Sequence, residues 1–206
     1  MQARTLALTA RATLLALAAT VSACATGPGP VEVTRFVAPE RVGQLGQGRV
    51  FVSSDQDGES LALSPYRRAV AAELIRLGYR ETARVQADQI ADVRIERYVI
   101  ENGQRRSPVS VGVGGSAGSY GSGVGVGVGI NLGALGGSRE RVGTQLAVTL
   151  RDASSGSVLW EGRADFDAGA KSPLAQADAA ARTLAAALFD EFPGNNGETV
   201  TIEVSE

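Results

Sequence analysis

Residues 143–166 constrain this chain most. Leu146, Val148 and Leu150 alternate with small or polar residues, Asp152-Ala153-Ser154-Ser155-Gly156-Ser157 follows, and Val158, Trp160 and Phe166 come after it. Successive side chains on a strand point to opposite faces. Two such runs joined by a short polar turn therefore predict an antiparallel hairpin, Gly143–Asp152 with Val158–Phe166, that has one apolar face. Trp160, the only tryptophan, belongs to that face as core.

A sheet with one apolar face needs a cover, and two segments can supply it. Tyr66, Val70, Leu74 and Leu77 recur at spacings of three and four, one stripe of a helix. Ser64-Pro65 predicts its start, with Ser as N-cap and Pro at the first helical position. Gly78 predicts its end, with Tyr79 folding back on Leu74 as in a Schellman motif. Ala177, Ala181, Leu184, Leu188 and Phe192 mark a second stripe, opened by Ser172-Pro173 and closed by Pro193-Gly194.

Further strands are predicted at Val31–Val37, Arg49–Ser53, 92–100 and Glu198–Val204, the last at an edge. In 92–100, Val93, Ile95 and Val99 share one face, while Asp92, Arg94, Glu96 and Tyr98 share the other. Arg97 falls on the apolar side. Asp92 and Glu96 read as a solvated sheet face with cross-strand ion pairs rather than as a carboxylate site. Residues 38–48 read as a loop and Asp55–Glu59 as a turn. The expected fold class is α+β: a mostly antiparallel sheet with two helices packed on one face.

Between these strands lies a glycine-rich segment, 109–137, in which Val124, Val126, Val128, Ile130 and Leu132 alternate with glycine or Asn131. It contains no GxGxxG or GK pair for cradling phosphate. Three readings stay open for it: a loosened hairpin over the domain, a loop without order, or an edge that pairs with another chain.

The N-terminus predicts how the chain is held. Arg4 and Arg11 precede or open an apolar run at 12–19, and Val21-Ser22-Ala23-Cys24 follows. The run is far shorter than the roughly 20 residues needed to span a bilayer, and its basic start and small-residue end are those of a signal segment. Ser22-Ala23-Cys24 resembles a bacterial lipobox. It implies cleavage between Ala23 and Cys24 and lipid attachment at Cys24, the only cysteine. Ala25 in place of aspartate points by the same resemblance to the outer membrane. The expected organisation is a signal peptide over 1–23, a lipidated cysteine with a Gly/Pro tether over 24–30, and one α+β domain over 31–206.

Composition narrows the chemistry. The chain has no histidine, so Ser-His-Asp, Cys-His and HExxH sites are excluded. With Cys24 committed to lipid, no thiol is left as nucleophile, metal ligand or disulfide partner. Loss of Arg4 and Arg11 with the signal takes the formal net charge from −2 to −4, a poor match to nucleic acid. No cofactor, metal or catalytic residue is expected.

Several short motifs occur in a fixed order: Leu77-Gly78-Tyr79-Arg80, Ala91-Asp92-Val93, the VGVGVG run, Leu150-Arg151-Asp152, Gly156-Ser157-Val158-Leu159-Trp160-Glu161-Gly162-Arg163 and Phe192-Pro193. In this order the chain resembles the bacterial lipoproteins grouped as domain of unknown function family 4136. The resemblance implies the lipid anchor and the fold, and brings no activity or catalytic residues with it. The expectation is a lipid-anchored, periplasm-facing module that is not an enzyme and binds another envelope protein. A structural protein self-associating through 109–137 is the alternative. A hydrolase using Asp and Glu alone ranks last.

Overall fold

The computed structural model describes residues 28–54, 61–101, 104–109 and 140–204. These form one mixed sheet with two α-helices, the expected α+β class. The strands are β1 (Val31–Val37), β2 (Arg49–Ser54), β3 (Arg80–Glu81), β4 (Gln89–Glu101), β5 (Gln104–Val109), β6 (Arg141–Asp152), β7 (Val158–Gly169) and β8 (Glu198–Ile202). The helices are α1 (Ser64–Arg76) and α2 (Ala177–Leu188). The strand order is β3-β2-β4-β6-β7-β1-β8, with β5 paired to β4. β2 runs parallel to β3 and β4, and all other pairings are antiparallel.

β4 organises the sheet. One edge pairs with β6 over Gln89–Ile100. The other is shared, with β2 beside Gln89–Val93 and β5 beside Arg97–Glu101. The β5 strand is not expected from the sequence, because Gln104-Arg105-Arg106-Ser107-Pro108 has no apolar alternation to mark it.

The helices and one face of the sheet enclose a single core. Val31 and Val33 of β1, Val93 and Ile95 of β4, Leu146, Val148 and Leu150 of β6 and Trp160, Ala164 and Phe166 of β7 meet Tyr66, Val70 and Leu74 of α1 and Ala181, Leu184 and Leu188 of α2. Each large apolar side chain buried there contributes about 1.5–3 kcal/mol relative to exposure. The alanine-rich face of α2 keeps that helix close to the sheet. Gly162 serves the same closeness from below, since a Cβ on it would stand 2.2 Å from the Trp160 ring and 2.7 Å from Leu188.

The C-terminus of α1 has the expected Schellman geometry. Gly78 N–H donates to Ile75 O and Tyr79 N–H to Leu74 O, both at 3.0 Å, with Gly78 at φ +107°. Its start differs from expectation. A 3₁₀ turn at Leu61–Leu63 runs straight into the helix, so Leu63 is the N-cap and Ser64 makes no capping hydrogen bond. The second helix also starts elsewhere. Ser172 Oγ accepts from Leu174 N–H at 3.1 Å and caps a separate 3₁₀ turn, Pro173–Ala175. Gln176, extended at φ −77° and ψ 140°, breaks the path before α2 begins at Ala177.

α2 stops at Leu188, short of Pro193-Gly194. The following turn lays Phe189 and Phe192 on Trp160, with ring centroids 5.4 Å and 5.2 Å away. The β6–β7 hairpin forms as expected, its turn held by Asp152 Oδ1, which accepts from the backbone N–H and hydroxyl of both Ser154 and Ser155. A register shift between Leu150 and Arg151 pairs Arg151 with Val158. Val158 is thereby 37% exposed rather than part of the Trp160 face.

Gly29 N–H donates to Asp167 O at 2.9 Å, so this part of the expected tether is bound to the sheet. Ala23, Cys24 and the tether up to residue 27, Asp55–Glu59 and residues 110–137 of the glycine-rich segment lie outside the described residues. Among the described residues no helix is long and apolar enough to cross a membrane.

Candidate functional site

The face of the sheet away from the helices is set by the same alternation, one residue out of phase with the core. Its side chains form rows across the strands. Asp92, Thr149, Glu161 and Phe36 stand in register, then Arg94, Ala147, Arg163 and Thr34, then Glu96, Gln145, Asp165 and Glu32. Two acids are thus followed by two arginines and then by three acids, with rows about 7 Å apart from the strand rise. Glu32, Arg94, Glu96, Glu161 and Arg163 are exposed. Phe36 stands among them, 52% exposed.

Part of this charge is matched internally. Arg151 Nε donates to Asp92 Oδ2 at 3.1 Å across β4 and β6, the cross-strand pairing expected for Asp92. Arg141 pairs with Asp167 through both the carboxylate and the backbone carbonyl. The Tyr98 hydroxyl donates to the Asp165 carboxylate, 2.9 Å from Oδ2. Tyr98 lies on the charged face as expected, yet it is buried. Its ring packs against Gly143, where a Cβ would be 2.2 Å away. Among the described residues no three His, Cys, Asp or Glu side chains gather as a metal site.

A second polar feature lies on the helix side. Arg68 Nη2 of α1 reaches Asp178 Oδ1 of α2 at 3.4 Å, so the two helices begin side by side. Neither N-terminus has a side-chain cap. Beneath them, on the core face, Arg97 of β4 and Thr144 of β6 are register partners. Arg97 Nη2 donates to Ala175 O at 2.6 Å, while its Nε is buried without a partner among the described residues. Tyr66 is 1% exposed, and its hydroxyl is enclosed beside Thr144 and Arg97. Burial raises the Tyr66 pKa above 10, against the lowering pull of Arg97.

Sequence reasoning assigned Tyr66 to the core and noted Arg97 only as a charge in an apolar phase. That phase violation was the signal available. Cys24 and Ala23, the residues to which the sequence assigns lipid attachment and cleavage, lie outside the described residues.

The model of a family described as "Domain of unknown function (DUF4136)" matches residues 36–194. No curated protein matches the chain. Among solved structures, the PelC dodecamer from Paraburkholderia phytofirmans is similar at 14% identity, over 77% of this chain and 94% of that one, with a TM-score of 0.40. A variant of the same dodecamer gives 16% identity, 77% and 93% coverage and 0.40. A PDZ domain protein from Parabacteroides distasonis is similar at 11% identity, over 85% of this chain and 39% of that chain, with a TM-score of 0.45.

Proposed function

The chain belongs to the family described as Domain of unknown function (DUF4136), and we propose that it is a lipid-anchored envelope protein whose open sheet face docks a protein partner on the periplasmic side. The observation behind the docking reading is the exposed, sign-alternating set of Glu32, Arg94, Glu96, Glu161 and Arg163 around Phe36. Charge arranged in rows selects a partner and its orientation, and one exposed aromatic gives an anchor for burial. The anchor reading rests on Ser22-Ala23-Cys24. Two or more acyl chains hold a protein stably at a membrane.

The test places a photo-crosslinking residue in intact cells at Thr34, on the open face, or at Ala186, exposed on α2. The expected result is one heterologous adduct from position 34, absent from position 186 and lost in Arg163→Glu. Cys24→Ser should release the protein from membranes. Equal adducts from both positions would end the docking reading, and unchanged membrane retention of Cys24→Ser would end the anchor reading. A second reading is self-association through the glycine-rich segment. It is favoured by β5, which leads into that segment and whose outer edge is paired by no strand among the described residues. A dominant self-adduct from a crosslinker in β5 would support it.

A further inference from the structure

We propose that β8 is a dimerisation strand: its outer edge pairs antiparallel with β8 of a second copy of the chain, with Val200 opposite the partner's Val200. The contact runs edge to edge, so it leaves the open sheet face free and does not rest on the docking reading.

The sheet ends differently on its two sides. β3 closes one side with two residues, Arg80 and Glu81, both exposed. A short, charged edge resists further pairing. β8 closes the other side with five residues, Glu198–Ile202. It pairs with β1 in an unbroken register along one edge, and no strand among the described residues pairs with the other. Such an edge presents a row of unpaired N–H and C=O groups. Thr199, Val200, Thr201 and Ile202 are all β-branched, and the strand has neither lysine nor proline to blunt it.

The core also runs past this edge. Val200 and Ile202 stand opposite Val33 and Val31 of β1. They pack against the core yet remain half-buried. A neighbouring strand that brings apolar side chains to the same face removes the rest of their surface from water.

Charge and symmetry choose the occupant. In the antiparallel register centred on Val200 all five residues of the strand pair. Glu198 then lies opposite the partner's Ile202, Thr199 opposite the partner's Thr201, and Val200 opposite its own copy. Thr–Thr pairs are favourable across strands, whereas like charges directly opposite are destabilising. This register keeps the two Glu198 carboxylates at opposite ends of the contact. Each is also held toward its own turn, since the Asn195 backbone N–H and Nδ2 donate to Glu198 Oε2 at 3.4 Å and 3.3 Å. In-register parallel pairing would set Glu198 against the partner's Glu198. A twofold contact uses the same strand from both copies and so closes at two chains.

The experiment uses the full chain in detergent and reads pairing in two ways. The first is disulfide trapping, with the parent, whose only cysteine is Cys24, as control. Val200→Cys should give a covalent dimer on mild oxidation, because Cβ atoms directly opposite stand about 4.5–5.5 Å apart. Thr201→Cys alone should give little, since its two copies are diagonal neighbours about 7–8 Å apart, but mixed with Thr199→Cys it should be trapped. No covalent dimer from Val200→Cys beyond that of the parent would overturn the proposal, and so would as much from Thr201→Cys alone. The second is mass by light scattering. The parent should have the mass of two chains. Thr199→Lys combined with Thr201→Lys, both at exposed positions, sets like charges opposite one another and should halve that mass. Mixing this variant with one carrying Thr199→Glu and Thr201→Glu should restore it, which a misfolded variant could not do. Equal masses for the parent and the lysine variant, whether of one chain or of two, would overturn the proposal.

Discussion

Arg35 Nε donates to the carbonyl oxygen of Leu188 at 3.1 Å, across 153 positions of sequence. Its Nη2 donates to Ala187 O at 3.0 Å. These are among the last carbonyls of α2, which the helix cannot satisfy, so a side chain from β1 caps the C-terminus of a helix. The guanidinium is 2% exposed. Burial lowers its pKa, and Asp190, Glu198 and Glu191 pull it back up. Arg35→Met should lose about 2–4 kcal/mol, since it leaves buried carbonyls unpaired. Urea unfolding followed by Trp160 fluorescence measures this, and a loss below about 0.5 kcal/mol would mean the cap is dispensable.

The contact between Tyr98 and Gly143 predicts a graded pair of substitutions. A methyl on Gly143 would sit 2.2 Å from the Tyr98 ring, so Gly143→Ala must displace the ring and break its hydrogen bond to Asp165. The expected cost is about 2–3 kcal/mol from overpacking and the lost bond. Gly156 has φ +70° and nothing within 4 Å of a built Cβ. Gly156→Ala should therefore cost only the backbone strain, about 1 kcal/mol. Equal costs in denaturant unfolding would contradict this reading of Gly143.

Asp88 ties the start of β2 to the segment entering β4. Its carboxylate accepts from Arg49 Nη2 at 2.8 Å, Nε at 3.1 Å and backbone N–H at 3.0 Å. These hydrogen bonds, the Arg49 side chain first, bring its pKa down from 3.8 to about 2. A carboxyl depressed in the folded state stabilises fully above its unfolded pKa and loses that share as protons bind. The share should be present above about pH 4 and disappear between pH 4 and 2. Asp88→Asn should flatten the acid limb of the stability curve across that window. An unchanged slope would show that other carboxylates govern it.

Tyr79 predicts the alkaline side. Its hydroxyl accepts from Gly46 N–H at 2.9 Å and donates to Gln89 Oε1 at 3.2 Å. Burial pushes its pKa up from 10 to about 12. With the folded value raised, its contribution is whole below pH 10 and is lost as pH rises through 12. Absorbance titration should show a late tyrosinate step that is missing in Tyr79→Phe. A parent protein whose tyrosines all ionise near pH 10 while still folded would contradict the burial argument.

The parts legible in the sequence were those in which one local rule decides. Gly78 allows the left-handed residue that a Schellman end requires. Alternation alone gave β1 its Val31–Val37 limits and placed Asp92 on the charged face. The parts missed depend on contacts between distant segments. Ser172 does cap, but Gln176 intervenes, so the capped turn is not the helix. Val158 left the core because a register shift at Leu150 cannot be read from either strand alone. Tyr98 keeps its expected face yet is buried, because the residue across from it is glycine. Arg35 and Arg97 both occupy apolar phases. The approach of α2 makes the first a cap on its last carbonyls, and the 3₁₀ turn before α2 takes the second at Ala175 O.

β1 lies between β7 and β8. Val33 is opposite Ala164 on one side and Val200 on the other. Among the described residues the first strand therefore pairs only with the last two. As the chain is made, this strand stays exposed along both edges, and the sheet cannot close until β8 is present. Such long-range pairing folds slowly and leaves sticky edges on the way. The exposure has a defined interval, beginning with β1 at residue 31 and ending when β8 arrives.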